Sequence, residues 1–317
     1  ALMNKKQIIL FQNRRGYSPI LNCTSCHFTP SCESCDVSLT YHKGIDKLKC
    51  HYCGATEKIP DFCPSCQNPE FSSKGFGTEQ IEEQIHNIFD NVICRRMDYD
   101  TTRRKNSFQD IISEFESGKI DILIGTQMIA KGLDFDNVSL VGILNADNML
   151  KFPDFRSNER AFQLMMQVAG RSGRKKDKGK VLIQTFDYDN PIFKFLLSNN
   201  YHSFYTSQID ERKAFQYPPF RRLIILILKG KKQNVLDNAA NELAILVRRY
   251  FPGSVLGPEY PSISRIRNYY HKQILIKVDS INISLSHSKR SITSLVHKLH
   301  QNSIFRAIRV DIDIDPY

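Results

Sequence analysis

The sequence predicts an α/β fold: a parallel sheet with helices on both faces, a cysteine-rich insertion near its start, and a small α+β module at its end. Three observations lead there. Apolar strand-like runs alternate with helical periodicities across residues 92–186, the pattern of a parallel sheet with crossover helices. Eight cysteines in four Cys-x-x-Cys pairs crowd residues 23–66. A double proline, Pro218-Pro219, precedes a second and shorter pattern of strands and helices.

Taken in order, Gln7–Gln12 (QIILFQ) reads as a buried strand. The cysteine block is polar and loop-like, with prolines at 30, 60 and 64, and Gly75-Phe76-Gly77 makes a flexible joint. Ile81, Ile85, Ile88 and Phe89 give Glu79–Phe89 helical periodicity. Val92–Met97 is a strand, Arg104–Ser117 a helix, Ile120–Gly125 and Val138–Leu144 strands, Glu159–Val168 a helix and Lys180–Phe186 a strand. A helical stretch, Asn200–Phe215, leads to the double proline. Beyond it the expected order is strand 223–229, helix 234–250, strand 273–278, helix 291–301 and strand 307–314. The domains expected are 1–22, opening the sheet lobe; 23–66, a zinc-binding insertion; 67–215, the rest of the lobe; and 216–317, the α+β module.

Composition narrows the function. Hydrophobic residues make up 41% of the 317, ordinary for a globular chain. No apolar run approaches the roughly 18–20 residues of a membrane span, the longest being Leu223–Leu228, and residues 1–22 hold no signal-peptide pattern. The opening Ala-Leu-Met-Asn, close on a strand, is expected of a piece of a longer protein. The net charge is +11. Eight thiolates and two divalent ions would lower it by four, to about +7, still basic enough to favour a polyanion such as nucleic acid.

The pairs are Cys23/Cys26, Cys32/Cys35, Cys50/Cys53 and Cys63/Cys66. Two Cys-x-x-Cys hairpins complete a four-sulfur zinc site, so four make two sites. Three pairings of the hairpins exist. The sequential one must join Cys26 to Cys32 across five residues, which is cramped. Nesting sets Cys32, Cys35, Cys50 and Cys53 on one ion and Cys23, Cys26, Cys63 and Cys66 on the other without crossing the chain, and is preferred. His27, His42 and His51 are then surplus, and Cys94, inside an apolar strand, is a buried thiol. A site closed by four sulfurs has no open position for water, so these ions hold structure and do no chemistry.

Gln167-Val-Ala-Gly170-Arg171-Ser-Gly-Arg174 ends a predicted helix. Arginines three apart share a helix side, from which guanidinium groups can reach the γ-phosphate of an ATP held by another lobe. Gln167, Arg171 and Arg174 are the candidate catalytic residues. Upstream, the strand Ile122-Leu-Ile-Gly125 runs into Thr126 and Gln127, whose hydroxyl, amide and backbone N–H groups suit a DNA phosphate. Gly132 and Asp134 then turn back towards the nucleotide cleft, and with Gly170 form the candidate nucleotide-binding set. A basic helix end and an ordinary turn are the plain readings of the two segments. In the last module, Arg265 and Arg267 beside Tyr269 and Tyr270 suit branched or single-stranded DNA, a solvated basic face being the plain alternative. Phe152, Phe155 and Phe162 read as core.

The segments FQNRRGYSP, CHYCG, GFGTEQIEE, RMDYDTTRRK, ILIGTQMIAKGLDF, LNADNMLKFPDFRSNERAFQLMMQVAGRSGR, YPPF and GPEYPSISRIRNYYHKQILIK, with the eight-cysteine block, together resemble superfamily 2 helicases. More narrowly they resemble PriA, the primosomal protein N′ family of bacterial replication-restart helicases, over nearly the whole chain. The resemblance implies a RecA-like second helicase lobe, nested zinc pairing and a small ribosomal-protein-like C-terminal domain. It implies ATP-driven 3′-to-5′ unwinding at stalled forks, with ATP and Mg²⁺ as cofactors besides two zinc ions. It also implies partners: forked and single-stranded DNA, primosome proteins, single-stranded-DNA-binding protein and the machinery that loads the replicative helicase, in the cytoplasm at the nucleoid and at no membrane. Gln167, Arg171 and Arg174 match the family's nucleotide-facing motif. Thr126, Gln127, Gly132 and Asp134 match its preceding motif, and Asp98, Asp100, Thr101, Thr102 and Lys105 match a segment of less defined role.

The sequence departs from the family in lacking a Gly-x-x-x-x-Gly-Lys-[Ser/Thr] loop. The nearest, Gly173 to Gly179-Lys180-Val181, is one residue too long and ends in valine. The one Asp-Glu pair, Asp210-Glu211, leads into Arg-Lys. This chain alone is therefore expected neither to hydrolyse ATP nor to unwind DNA. The competing reading is a zinc-dependent module that binds DNA or protein without motor activity, which has no use for Arg171 and Arg174. A zinc nuclease or deaminase fits poorly, because the metal sites are closed.

Overall fold

The computed structural model describes residues 1–13, 20–42, 45–74, 77–98, 101–102, 104–130, 135–151, 154–173, 179–279 and 284–316. Two compact units emerge: Ala1–Ser25 with Tyr41–Lys47 and Gln67–Thr206, and Cys26–Thr40 with Leu48–Cys66 and Ser207–Tyr317. In the first half the elements run β1 (Gln7–Gln12), β2 (Ile20–Cys23), β3 (Thr40–His42), β4 (Lys47–Lys49), β5 (Thr56–Glu57), β6 (Phe71–Lys74), α1 (Thr78–Ile88), β7 (Cys94–Met97), α2 (Ser107–Glu116), β8 (Ile122–Gly125), α3 (Gln127–Ala130) and β9 (Val138–Leu144). Then follow α4 (Asp147–Leu150), α5 (Ser157–Ala169), β10 (Lys180–Ile183), α6 (Pro191–Leu197), α7 (Tyr201–Ala214), β11 (Arg222–Gly230), α8 (Gln233–Tyr250), β12 (Val255–Glu259), β13 (Arg265–Ile266), β14 (Tyr269–Val278), α9 (Leu285–Gln301) and β15 (Arg309–Ile314).

The first unit is built on a sheet ordered β10-β9-β1-β8-β7, with every neighbouring pair parallel. QIILFQ is apolar on both sides because β1 is central and covered on both faces. Alternate residues part to opposite cores. Ile9 and Phe11 of β1 and Leu123 of β8 join Phe115, Phe135, Phe162 and Met165 on one side. Ile8, Ile122 and Ile124 join Ile81 and Ile85 of α1 on the other. The expected two-sided α/β lobe is thus the observed one. Gln7 is buried, and its amide donates to the carbonyls of Phe115 (2.6 Å) and Ile120 (2.7 Å), satisfying the end of α2 and the approach to β8. In α5 the buried positions Ala161, Phe162, Met165 and Val168 lie on one helical stripe, and Phe162 stacks on Phe204 at 4.1 Å.

The second unit carries an antiparallel sheet ordered β12-β14-β11-β15, with β13 paired to β14. Leu236, Ala239, Ala240, Leu243, Ala244 and Val247 of α8 pack with Ile224, Leu226 and Leu228 of β11 and Ile274 and Ile276 of β14. Four strands and a short fifth stand where the sequence pattern predicts three. Of the two additions, β13 is only two residues long, and β12 contains Gly257-Pro258, a breaker composition. Gly257 lies at φ 88°, a Cβ there would stand 2.8 Å from the Gln273 carbonyl oxygen, and the pairing register shifts between Leu256 and Glu259. A bulge thus accepts a residue pair that strand propensity rejects. Similarly, α6 precedes α7 where one helical stretch is expected, the chain turning at Asn199 with φ 49°. No helix among the described residues is long and apolar enough to cross a membrane.

Candidate functional site

The eight paired cysteines gather into two groups, Cys23, Cys26, Cys63 and Cys66 in one and Cys32, Cys35, Cys50 and Cys53 in the other, with sulfurs within 4.8 Å of one another in each. This is the nested arrangement. Cys26 and Cys63 stand 3.6 Å apart at sulfur, as do Cys32 and Cys53. Four sulfurs about 2.3 Å from one tetrahedral ion are roughly 3.8 Å apart, so both groups fit zinc. No histidine joins either group among the described residues. The knuckles aim N–H donors at the sulfurs: Ala55 donates to Cys53 Sγ (3.4 Å) and Arg267 to Cys35 Sγ (3.2 Å), while the Asn68 amide reaches Cys23 Sγ (3.7 Å). Without metal, burial pushes the Cys32 thiol up to about 12. Burial opposes ionisation of Cys50 as well, yet the N–H groups of Cys53 and Tyr52 outweigh it and bring that thiol to about 7. Cys94 belongs to neither group and is a buried thiol pushed up to about 12 by its apolar surroundings.

The end of α5 lies by the start of β9, where the Gly173 N–H donates to the Val138 carbonyl at 3.2 Å, whereas Thr126 and Gln127 follow β8 at the carboxyl end of the parallel strands. There the strand order reverses around β1, the position where such sheets bind ligands. Gln127 donates to Asn13 Oδ1 at 3.2 Å, tying the segment after β8 to the segment after β1. Thr126 is buried and its carbonyl accepts the Ile129 N–H at 3.0 Å. Gly125 is required where it stands: a Cβ would fall 1.9 Å from Ile129 Cδ1. At the end of α5, Gln167 and Gly170 are exposed, and Arg171 Nη2 donates to the Ala130 carbonyl at 2.7 Å. Gly132, Asp134 and Arg174 lie outside the described residues, as do Asp100 and Phe152.

Asp98 is fully buried. It accepts Thr78 Oγ1 (2.7 Å) and the Thr101 N–H (3.0 Å), while Thr102 Oγ1 donates to its carbonyl (2.7 Å). Asp98, Thr101 and Thr102 therefore latch the end of β7 to the start of α1. Asp147 is another buried carboxylate that sequence reading passed over. Burial works against its ionisation, but the Phe186 N–H and the Thr185 hydroxyl, each at 3.0 Å, hold it below the usual range. Phe162 is core, whereas Phe155 is half-buried beneath the Arg156 guanidinium, 4.7 Å from the ring centre. In the second unit Arg265 and Arg267 turn to the cysteine knuckles, Arg265 Nε donating to Asp36 at 3.0 Å and Arg267 Nε to the Tyr52 carbonyl at 3.2 Å.

Three family models match the chain. The PriA DNA helicase Cys-rich region domain matches residues 32–58, the helicase conserved C-terminal domain 46–176 and the primosomal protein N C-terminal domain 213–317. Replication restart protein PriA of Synechocystis sp. is 37% identical over 98% of this chain and 37% of its own length. That of Bacillus subtilis is 37% identical over 98% and 38%, and that of Treponema pallidum 40% identical over 87% and 42%. The chain thus spans about two fifths of the length of these relatives. The L327V variant of S. cerevisiae Dbp5 bound to RNA and ADP BeF3 aligns with a TM-score of 0.31 and 14% identity, over 62% of this chain and 33% of that one.

Proposed function

This chain belongs to the PriA family of replication-restart helicases, and we propose that it supplies the second lobe of an ATP-driven DNA motor, with a zinc-braced module and a C-terminal domain attached. The reaction proposed is 3′-to-5′ unwinding at stalled forks, with forked and single-stranded DNA, primosome proteins, single-stranded-DNA-binding protein and the replicative-helicase loading machinery as partners, in the cytoplasm at the nucleoid. We assign residues 1–22 and 67–215 to the lobe, 23–66 to the zinc module and 216–317 to the DNA- or partner-binding domain.

One observation supports this reading most: the bond from Arg171 to the Ala130 carbonyl. It joins the turn after α5, the helix that bears Gln167 and is capped by Gly170, to the short helix that begins at Gln127. A change at a DNA-contacting Thr126-Gln127 segment is thereby felt by the arginines assigned to the nucleotide. In the proposed roles Gln167, Gly170, Gly132 and Asp134 face the nucleotide, and Thr126 and Gln127 a phosphate of the DNA. Arg174 stabilises the charge that develops as the γ-phosphoryl group leaves. ATP and Mg²⁺ are gripped by a lobe that carries the phosphate loop this sequence lacks, so this chain alone has no turnover. Two zinc ions, each held by four cysteines, stiffen the module and leave no position for a reacting water.

The test joins this chain to a phosphate-loop lobe and compares DNA-stimulated ATPase with and without Arg174→Ala. Loss of roughly 10³-fold or more in turnover is expected of a finger arginine. Unchanged turnover favours a zinc-dependent binding module instead.

A further inference from the structure

The Cys32–Cys53 group is not a self-contained knuckle. The chain beside Cys35 is tied to residues 264–268, far away in sequence and within the same compact unit. The Asp36 N–H donates to the Arg265 carbonyl (2.9 Å), and the Asp36 carboxylate accepts Arg265 Nε (3.0 Å) and Ser264 Oγ (2.5 Å). The Asn268 N–H donates to the Ser34 carbonyl (2.9 Å). The Arg267 N–H points at Cys35 Sγ (3.2 Å), and Arg267 Nε reaches the Tyr52 carbonyl (3.2 Å), in the knuckle that ends at Cys53.

The local conformation is built for this contact. Arg265 pairs with Tyr270 and Ile266 with Tyr269, leaving Arg267 and Asn268 as a two-residue turn with φ of 51° and 61°. Two positive φ values make a type I′ hairpin, whose preferred residues are Asn and Gly. Asn268 fits that preference and Arg267 does not. A side chain in the left-handed region is uncommon and persists where its surroundings fix it. Here the surroundings are a sulfur in front of its N–H and a carbonyl in front of its Nε. A zinc ion with four thiolates carries a net charge of −2, so an N–H donor and two guanidinium groups are complementary to it. The Arg265–Asp36 pair is half-exposed, and alone it would stabilise little. The inference therefore rests on the N–H···S contact and the backbone bonds, and a like charge placed at Asp36 or Arg265 tests them by pushing apart the two segments that those bonds join.

We propose that the β13–β14 hairpin is the outer coordination shell of the inner metal centre, and that Arg265, Arg267 and Asp36 are positioning residues that make this ion and the hairpin turn one cooperative unit. This rests on the zinc reading of the cysteines. Donors to metal-bound ligands commonly change metal affinity 10–100-fold. The coupling is reciprocal: a loosened hairpin releases the ion, and a lost ion loosens the hairpin. The outer centre, Cys23, Cys26, Cys63 and Cys66, serves as the internal control.

The experiment uses the full 317-residue chain, its zinc content first measured at two equivalents. Zinc release to excess chelator is then timed for wild type, Asp36→Arg, Arg265→Asp and the double swap. We expect one equivalent to leave tenfold or more faster in each single variant, the other to leave at the wild-type rate, and the double swap to restore slow release. In wild type, removing zinc should speed amide hydrogen exchange at Arg267 and Asn268 and leave the β11–β14 amides slow, a readout that needs no variant. Wild-type release rates in both single variants, or hairpin amides indifferent to zinc, overturn the proposal. Fewer than two equivalents in wild type overturn the metal reading itself, and the proposal with it.

Discussion

Arg171 donates from Nη2 to the carbonyl oxygen of Ala130 across 2.7 Å, capping the last turn of the four-residue helix that opens at Gln127. The last carbonyls of a helix have no partner within it, and a guanidinium supplies one with the sign that the helix dipole favours. Arg171 is thus a brace as well as a candidate for the nucleotide. Arg171→Ala is expected to cost about 1.5–3 kcal/mol, the range for a hydrogen bond to a charged group in a partly buried site. Urea unfolding of the 317-residue chain measures it. A change within 0.3 kcal/mol would leave Arg171 no structural role.

The metal centres make a prediction that separates nested from sequential pairing. Cys26→Ser and Cys63→Ser should each lose the same single zinc equivalent, and Cys32→Ser and Cys53→Ser the other, because the sulfurs group that way. Combining Cys26→Ser with Cys63→Ser then leaves one equivalent bound, while Cys26→Ser with Cys32→Ser leaves none. Metal analysis after gel filtration distinguishes these outcomes. Stripping both ions with a chelator should melt residues 23–66, seen as rapid proteolysis there, since the block has few apolar side chains to hold it.

Much of this was legible in the sequence for a simple reason. Strand and helix periodicities are local, and so is the Cys-x-x-Cys hairpin. Thus β1 and β9 have the bounds that their apolar runs give, and all eight paired cysteines find their groups. What was not legible depends on partners distant in the chain. That Arg265 is bonded to Asp36, and Asp98 to Thr78, could not be read from the sequence around either residue. Asp147 sits in a polar stretch, Asn145-Ala146-Asp147-Asn148, that gives no sign of burial. Its partners, Thr185 and Phe186, arrive only when β10 pairs beside β9.

Asp147 also sets a pH dependence. Its carboxyl lies below the ordinary range because an N–H and a hydroxyl donate to its charged form more than burial penalises it. A depressed folded pKa means stability that is fully present above the unfolded value, about 3.9, and lost as pH falls through the folded value. Asp147→Asn should therefore be less stable than wild type by about 1–3 kcal/mol at pH 7. The gap should hold from pH 8 to about 5 and narrow only below about 4. Denaturant titrations of both proteins across that range check it. A gap that widens towards acid would contradict the assignment.

Gly125 offers a way to disturb the proposed motor surface without touching a metal ligand or a candidate contact. A Cβ there would fall 1.9 Å from Ile129 Cδ1 and 3.0 Å from the Met97 carbonyl oxygen. Ile129 is fully buried, so its side chain has nowhere to swing and α3 must move as a body. That motion carries Gln127 away from Asn13 at one end and the Ala130 carbonyl away from Arg171 at the other. Gly125→Ala is expected to destabilise the lobe by about 1–3 kcal/mol, as overpacking does. In a protein joined to a phosphate-loop lobe, it should also break the proposed link between DNA and ATP. Basal ATPase would persist while stimulation by single-stranded DNA falls at least tenfold, with both zinc equivalents retained. Stimulation that survives in a variant shown by denaturation to be strained would mean that the segment after β8 does not carry the signal between the two ligands.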